Sequence, residues 1–354
     1  MKKKILAVFL SLCMAMSLLP IGAMAAESGS KDLNQENLSE MANQDASESA
    51  TRYWKIPSGD YKLTSNIDLN AIQGVQYSML FDKNTESTLD LNGYSITSSN
   101  MAAITNQGTL TIKDSSTGKT GRVTGSRGVD NYGALTLESG TIHGTSSYYA
   151  TIQFCASASA DTASFTMNGG TVTSLYTNAI GFTNNTIPAS TSITLKGGTV
   201  GGILLKGNTT LTVGESSEPL NHSKIAVGAI TTFPNNTHAH TLNLYSGIIE
   251  KLPSRSWSTP TVTYAATTAL IVDNSVCPDG YHFDPVNFQE KTYYQLKENT
   301  VAVAKLCSKE GAEEEEYYSV LDAVDDLKDG YTLKLLTDYT ITYSSQAINI
   351  KVPM

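Results

Sequence analysis

The chain has few of the residues that would hold a small fold together by covalent links. Its 354 residues include only four cysteines. Cys13 lies in an N-terminal apolar segment, which leaves Cys155, Cys277 and Cys307 for the rest of the chain. So few cysteines exclude a disulfide scaffold, although the sequence alone allows a Cys277–Cys307 bridge.

Positive charge is also scarce. The chain carries 24 Lys and Arg against 33 Asp and Glu, a formal net charge of −9. The excess acids are concentrated in residues 27–50 and 309–329, whereas residues 51–308 contain 17 acids and 16 bases. Because no basic stripe is present, we expect no nucleic-acid partner, and we expect any glycan partner to be neutral rather than anionic.

Long apolar runs are confined to the N-terminus. Residues 2–4 are lysines, residues 5–19 are almost all apolar, and Ala23-Met24-Ala25 has the small-x-small pattern of a cleavage site. The apolar run is shorter than the roughly 20 residues that a membrane helix needs. Residues 1–25 are therefore predicted to be a signal peptide, and the mature protein is predicted to be secreted or held at the cell surface without a membrane span.

Composition divides the remaining chain into four parts. Residues 26–50 are polar and acidic and predict a disordered linker. Residues 51–252 consist of short β-branched strands separated by glycine and predict a parallel β-helix. Residues 253–305 predict an irregular β extension or cap. Residues 306–354 predict an acidic helix over about 317–329 followed by strands, a pattern that could open a second β-helix module.

An apolar-polar-apolar triplet recurs through the repetitive part of the chain. It is found at residues 67–69, 89–91, 110–112, 135–137, 165–167, 193–195, 211–213 and 242–244. A glycine and a second strand usually follow each triplet, and a third strand, centred for example on Ile104 or Val129, precedes it. Three strands in each 18–31 residues predict an all-β solenoid of about eight coils, right-handed by the usual rule for parallel crossovers.

The repeats resemble those of a known structural group. The segments LDLNGYSIT, GTLTIKDSSTGKTGRVTG and VDNYGALTLESGTIHG are similar to the right-handed parallel β-helix repeats of bacterial cell-surface proteins, which are pectin-lyase-like in fold and commonly called adhesin-like. The resemblance covers roughly residues 60–250. It implies the fold, while it leaves the function open, because such coils carry enzymes, adhesins and spacers.

The repeat alignment was used to test candidate catalytic and metal-binding residues. It places His143 on an outward rung position between Thr124 and Thr173, without the supporting groups of a catalytic histidine. Asp68 and Asp90 align as the only acids in successive coils, and we interpret them as a structural pair. The sequence therefore predicts no catalytic and no cofactor-binding residues.

Two further residue pairs have structural interpretations. His238 and His240 share the inward parity of Leu242 and are not expected to bind metal. Asn106 and Asn131 occupy equivalent bends of successive coils and predict a ladder of stacked amides.

The outward threonines of the triplets, together with nearby tyrosines, form a candidate ligand-binding face. Its predicted members are Thr136, Thr166, Thr194, Tyr132, Tyr148, Tyr149 and Tyr176. The sequence thus favours a monomeric, non-catalytic adhesin or interaction scaffold for a neutral glycan or a host or cell-surface protein. The alternative is a polysaccharide lyase or glycoside hydrolase of the pectin-lyase-like fold.

Overall fold

The computed structural model describes residues 29–41, 43–45, 51–70, 76–99, 101–157, 161–176, 178–183, 187–216, 221–233, 238–253, 262–308 and 314–337. The predicted signal peptide lies outside these ranges. Within them the chain is an all-β fold, a parallel solenoid of about eight coils with two short α-helices and a small antiparallel sheet near the C-terminus. The predicted all-β solenoid is confirmed.

The first side of the solenoid, sheet A, contains ten parallel strands. They are β1 (Lys31–Leu33), β4 (Gly59–Leu63), β7 (Glu86–Asp90), β10 (Thr109–Lys113), β13 (Ala134–Leu137), β16 (Thr162–Met167), β19 (Ser190–Leu195), β22 (Thr209–Val213), β24 (His240–Leu244) and β26 (Val262–Thr267). Each strand is short and alternates buried with exposed residues, as expected when one face packs on the core and the other faces water.

Two further ladders, sheets B and C, complete each coil. Sheet B contains β3 (Thr51–Ile56), β6 (Gln76–Phe81), β9 (Ala102–Asn106), β12 (Arg127–Asn131), β15 (Ile152–Phe154), β18 (Ile180–Phe182) and β21 (Ile203–Leu205). Sheet C contains β5 (Ile67–Asp68), β8 (Ser95–Thr97), β11 (Arg122–Gly125), β14 (Thr141–Gly144), β17 (Thr171–Ser174), β20 (Gly198–Val200), β25 (Ile248–Lys251) and β27 (Leu270–Ile271). The long strand β23 (Ile225–Thr232) pairs with both sheets and joins them.

The core is a set of columns in which equivalent apolar residues stack from coil to coil. In sheet A one column runs through Leu110, Leu135, Phe165, Ile193, Leu211 and Leu242, all at most 1% exposed. Sheets B and C contribute columns of isoleucine and valine. One coil has too few apolar side chains to offset the entropy of ordering its backbone, so the fold depends on stacking.

The bends between the sheets also repeat from coil to coil. Asn106 donates a hydrogen bond from its amide to the side-chain oxygen of Asn131 in the next coil (2.9 Å), and both are fully buried. The predicted asparagine ladder is therefore confirmed. At the bend from sheet A to sheet C, Gly140, Gly170 and Gly198 each have φ between 85° and 94°, a conformation that favours glycine.

The N-terminal segment differs from the predicted disordered linker. Strand β1 pairs in parallel with β4, and the following helix α1 (Leu38–Met41) precedes β2 (Asn43–Asp45), which pairs antiparallel with β3. Leu33 and Leu38 are at most 1% exposed. These two apolar side chains cover the open end of the core, so the described part of residues 26–50 packs against the solenoid.

The solenoid also extends beyond the predicted limit at residue 252. Strands β26 and β27 add further parallel rungs, and a hairpin of β28 (Tyr281–Phe288) and β29 (Lys291–Glu298) then pairs antiparallel with β27. Buried Leu296 packs against the core from this hairpin. The antiparallel hairpin covers the last edge of sheet C, which protects that edge from pairing with another chain.

A small unit follows the hairpin. Strands β30 (Ala304–Cys307), β31 (Glu314–Tyr317) and β32 (Thr332–Leu335) form an antiparallel sheet against helix α2 (Val320–Asp325). Val320, Leu321 and Val324 are buried and Asp322 is exposed, as the predicted helical face requires.

The limits of that helix differ from the prediction. Helix α2 ends at a cap on Asp326, well before Gly330, which lies in the next turn with φ 79°. The strands predicted after residue 337 lie outside the described residues.

Cys155, Cys277 and Cys307 are all free, so no Cys277–Cys307 bridge forms.

Candidate functional site

The outer side of sheet A presents an ordered array of hydroxyl groups. Threonine occupies the same outward position in six successive coils, at Thr88, Thr111, Thr136, Thr166, Thr194 and Thr212. A second outward column contains Thr109, Ala134, Ser164, Ser192, Thr210, Thr241 and Thr263. We call these two columns the hydroxyl face.

The geometry of the hydroxyl face follows from the strand ladder. Neighbouring parallel strands lie about 4.8 Å apart, and residues two apart along one strand lie about 6.6 Å apart. The threonines of the first column are half-buried, and β-branching restricts their χ1 rotamers. The residues named in the two columns are uncharged, and the second column continues from Thr109 to Glu86 on β7. The hydroxyl face contains the predicted Thr136, Thr166 and Thr194.

The acid pair suggested by the triplet alignment does not exist. Strand β5 carries Asp68 in sheet C, where its neighbour is Thr97, whereas Asp90 lies in sheet A between Lys62 and Lys113. Asp90 is 6% exposed and accepts hydrogen bonds from two backbone N–H groups, those of Asn92 and Ser115. It stabilises a bend, to which the buried Asp114 of the next coil also contributes by accepting a hydrogen bond from the N–H of Gly93.

Three of the four predicted tyrosines do not lie with the threonines. Tyr148 and Tyr149 lie in the connection from β14 to β15, and Tyr176 lies in the equivalent connection of the next coil, both from sheet C to sheet B. Together with Leu175 they form what we call the aromatic corner. Their exposed fractions are 87% for Tyr148, 44% for Tyr149, 55% for Leu175 and 69% for Tyr176. The structure therefore separates the predicted face into two surfaces.

Beside the aromatic corner, sheet B carries a half-buried ion pair. Arg127 donates two hydrogen bonds to Asp130, at 2.6 and 2.9 Å, and its guanidinium lies 4.9 Å from the ring centroid of Tyr149. Burial raises the pKa of Asp130, and the bond to Arg127 opposes that effect. Asp130 lies between Thr105 and Gln153 of the adjacent coils.

Tyr132 follows this strand and enters the bend towards sheet A. Burial raises its pKa, and the neighbouring Cys155 adds to the effect through its charge and a side-chain hydrogen bond. Burial likewise raises the pKa of Cys155 to about 12, which leaves its thiol protonated and unreactive at neutral pH.

The histidines occupy structural positions. His143 lies between Thr124 and Thr173 on the outer side of sheet C, as predicted, and a 2.9 Å hydrogen bond joins its Nδ1 to the hydroxyl of Thr173. Burial lowers its pKa, and Arg122 lowers it further. His240 points into the core, as its parity with Leu242 predicted, and is fully buried.

A groove of about 460 Å³ crosses the bends between sheets B and A. Its floor contains Gly108 and Gly133, and its walls include Tyr132, Asn84 and Asp161. We call it the bend groove. Its edge includes Thr109, a member of the hydroxyl face, so the two surfaces are continuous.

A second cleft of about 550 Å³ lies between the end of the solenoid and helix α2. Its lining combines Tyr264 and Tyr281 with acids such as Asp279 and Glu298. Asp279 accepts hydrogen bonds from the hydroxyl of Ser319 and from the backbone N–H groups of Val320 and Leu321, so it has a structural task at the start of α2.

Sequence reasoning missed the bend groove. Its polar residues come from four different coils and are far apart in the chain. A detectable signal was present in the repeated bends NQG and DNYG, whose glycines occupy equivalent positions before a sheet A strand.

Among the described residues, no group of three or more His, Cys, Asp or Glu side chains is placed to hold a metal ion. In the same part of the chain, no helix combines the length and apolar character needed to cross a bilayer. Comparison with protein-family models, curated proteins and solved structures finds no match to this chain.

Proposed function

We propose that the protein is an exported, surface-associated β-solenoid without catalytic activity that serves as an adhesin or interaction scaffold, with the hydroxyl face as its binding surface for a neutral glycan. The observation that carries the proposal is the column of six threonines at one outward position. Strand propensity alone favours many residues at such a position, including valine, isoleucine and tyrosine.

The chemistry of the face suits an uncharged polysaccharide. Each threonine hydroxyl can both donate and accept a hydrogen bond, as the hydroxyls of a sugar can. A regular row of threonines can therefore bond a regular polysaccharide with either partner as the donor. A single exchange of water for sugar contributes little free energy. A rigid array loses little entropy on binding, so many weak contacts can add up along the stack.

The separation of Asp68 and Asp90 supports a binding role over the alternative of a lyase or hydrolase. Glycosidic hydrolysis uses two carboxyl groups roughly 5–10 Å apart. The only acids that the sequence placed in successive coils lie in different sheets.

The test is a pull-down on insoluble neutral polysaccharides with a variant that disrupts the flat face. In Thr166→Lys/Thr194→Lys, two long cationic side chains project from adjacent coils, and retention is expected to fall at least tenfold. The matched control is Thr171→Lys/Thr199→Lys, which makes the same change at adjacent outward positions of sheet C. If both variants are retained like the wild type, the hydroxyl face is not the binding surface.

A protein partner is a second candidate because of the aromatic corner. Exposed tyrosines beside an arginine are typical of protein contact sites. Tyr148→Ser/Tyr176→Ser should then abolish binding to host cells while leaving polysaccharide retention unchanged. Unchanged cell binding by this variant would exclude the aromatic corner.

A further inference from the structure

The bend groove has the composition of a saccharide site rather than of a gap between loops. Its lining is polar, with Asn84 and Gln107 as amides and Asp161 as a carboxylate, and Tyr132 supplies one aromatic ring. Planar amides and carboxylates can bond two neighbouring sugar hydroxyls at once, and an aromatic ring can stack on the C–H face of the sugar. Its volume lies within the range of small-ligand sites.

The bare floor of the groove has a specific structural cause. A side chain at Gly133 would overlap the carbonyl oxygen of Gly108 in the preceding coil, and one at Gly108 would overlap the carbonyl oxygen of Thr85. The bends stack so closely that only glycine fits. As a result, two successive coils present backbone alone, and a ligand can approach the bend closely.

The walls of the groove are fixed independently of any ligand. On one side Asn84 has φ 64° in a turn closed by the hydrogen bond from Thr85 N–H to the carbonyl of Asp82 (3.2 Å). On the other side Asp161 accepts a hydrogen bond from the N–H of Ser157 at 2.9 Å. Tyr132 is half-buried directly after strand β12. The site is thus preorganised, which lowers the entropic cost of binding.

Charge identifies the ligand class. The groove is lined by one cation, Lys83, and one anion, Asp161. Such a balanced lining gives no advantage to a uronate or a sulfated sugar. One edge also contains Thr109 and Thr162 of sheet A, so a chain seated in the groove could continue onto the hydroxyl face.

We propose that the bend groove is a subsite for a neutral hexose of an oligosaccharide, in which Tyr132 stacks on the sugar ring and Asn84, Gln107 and Asp161 bond its hydroxyls. This inference rests on the proposed glycan-binding function and gives that function a defined site.

The experiment is calorimetric titration of the full mature chain with neutral tetrasaccharides (cellotetraose, chitotetraose, mannotetraose and maltotetraose) and with tetragalacturonate as the anionic probe. We expect at least one neutral probe to bind and tetragalacturonate to bind at least tenfold more weakly. Asn84→Gly and Gln107→Ala are expected to weaken binding at least fivefold each, and Tyr132→Leu at least tenfold. Asn84→Gly is the most informative variant, since glycine favours the positive φ and the fold is preserved.

Two controls test whether the effect is specific to the groove. Tyr318→Ala removes an exposed tyrosine of the C-terminal unit, and Thr199→Val removes a hydroxyl from the outer side of sheet C. Neither should change the affinity for a tetrasaccharide. If polysaccharide is retained but no neutral tetrasaccharide binds, or if the groove variants bind like the wild type, the groove is excluded and the proposed function stands. If neither the tetrasaccharides nor the polysaccharides bind, the groove proposal and the proposed function are both wrong.

Discussion

Single side chains stabilise this solenoid mainly by satisfying buried polar groups at the bends. The asparagine ladder is the clearest case, because Asn131 accepts from Asn106 and also donates to the carbonyl of Ser164 at 2.9 Å. Each buried amide thereby ties one coil to the next. Such groups are costly to leave without a partner.

Asn131→Ala is expected to lower the free energy of unfolding by about 1–3 kcal/mol, because it leaves a buried carbonyl and a buried amide short of a partner. Asn168→Ala is the control. The side chain of Asn168 is exposed and bonds only the side chain of Glu138 among the described residues, so its loss should change stability by less than about 0.5 kcal/mol. Urea unfolding followed by circular dichroism measures both, and equal effects would contradict a special role for the ladder.

His240 makes stability depend on pH. It lies between Thr209 and Val262 in the core, and neither ring nitrogen has a hydrogen-bond partner among the described residues. Burial lowers its pKa from 6.5 to about 4, with a further contribution from His238. The unfolded state therefore binds a proton more readily than the folded state between these two values. Stability is complete above about pH 6.5 and is lost as the pH falls towards 4, by at most about 3 kcal/mol.

His240→Thr should remove most of this acid sensitivity, since threonine already occupies the same column at Thr209. The exposed His282→Gln serves as the control and should retain the wild-type dependence. Melting temperatures measured from pH 7 to pH 4.5 test whether His240 causes the loss of stability in acid. A variant that loses stability with falling pH as steeply as the wild type would show that other groups are responsible.

The elements at the two ends of the stack differ in role from the repeated rungs, because they bury core side chains that no further coil covers. Strand β1 and helix α1 cover one end with Leu33 and Leu38, and the antiparallel hairpin covers the other with Leu296. At the C-terminal side, Asp279 connects the stack to helix α2.

Asp279→Ala is expected to free the first turn of α2, because three donors lose their acceptor at once. The amides of Val320 and Leu321 should exchange hydrogen about tenfold faster, a difference of 1.4 kcal/mol. Asp329→Ala, an exposed acid beyond the helix, should leave these rates unchanged. Protection that survives in Asp279→Ala would indicate that packing of Val320 alone holds the helix.

Most rungs could be predicted from the sequence because their alternation is strict and each coil repeats the last. The first two coils were misaligned for physical reasons. Strand β7 has Ser87 at the inward position where the next coil has Leu110. This small polar residue interrupts the apolar pattern by which the strands of sheet A can be aligned in the sequence. Strand β5 has the same apolar-polar alternation as a sheet A strand, so Asp68 was assigned to the wrong side.

The end caps and the candidate sites were harder to predict than the rungs. Leu33 and Leu38 are isolated apolar residues in an acidic segment, and only the open end of the solenoid gives them a role. The outward positions of Thr136, Thr166 and Thr194 follow from the alternation alone, and their role in binding stays a prediction. The bend groove depends on contacts between coils, which no local pattern contains.

At the scale of the whole molecule, each coil contacts mainly the coils before and after it, so the fold should tolerate the loss of a complete coil. Deleting residues 141–170 joins Gly140 to Thr171, which occupies the place of Thr141. Strand β13 would then pair with β19 and β12 with β18, with apolar columns still in register.

We expect this shortened chain to fold with an unchanged circular dichroism spectrum per residue and to unfold cooperatively at a lower temperature. Deleting residues 141–155 is the control. It removes rungs from sheets B and C but leaves β16 in place, so the order of the three sheets is broken and the chain should not fold. Two deletions with equal melting behaviour would contradict the dependence on whole coils.

The direction of the ladders has a consequence for mechanical load. The hydrogen bonds of sheets A, B and C run along the solenoid axis, and β1 and β27 lie at opposite ends of the stack. A pull on the two ends therefore loads successive rungs in series, and the outermost coil detaches first. A coil such as the 30 residues between His143 and Thr173 then releases about 100 Å of chain while the next coil still holds. Under tension between two surfaces, the protein would lengthen one coil at a time, and each step would lower the force on the remaining coils.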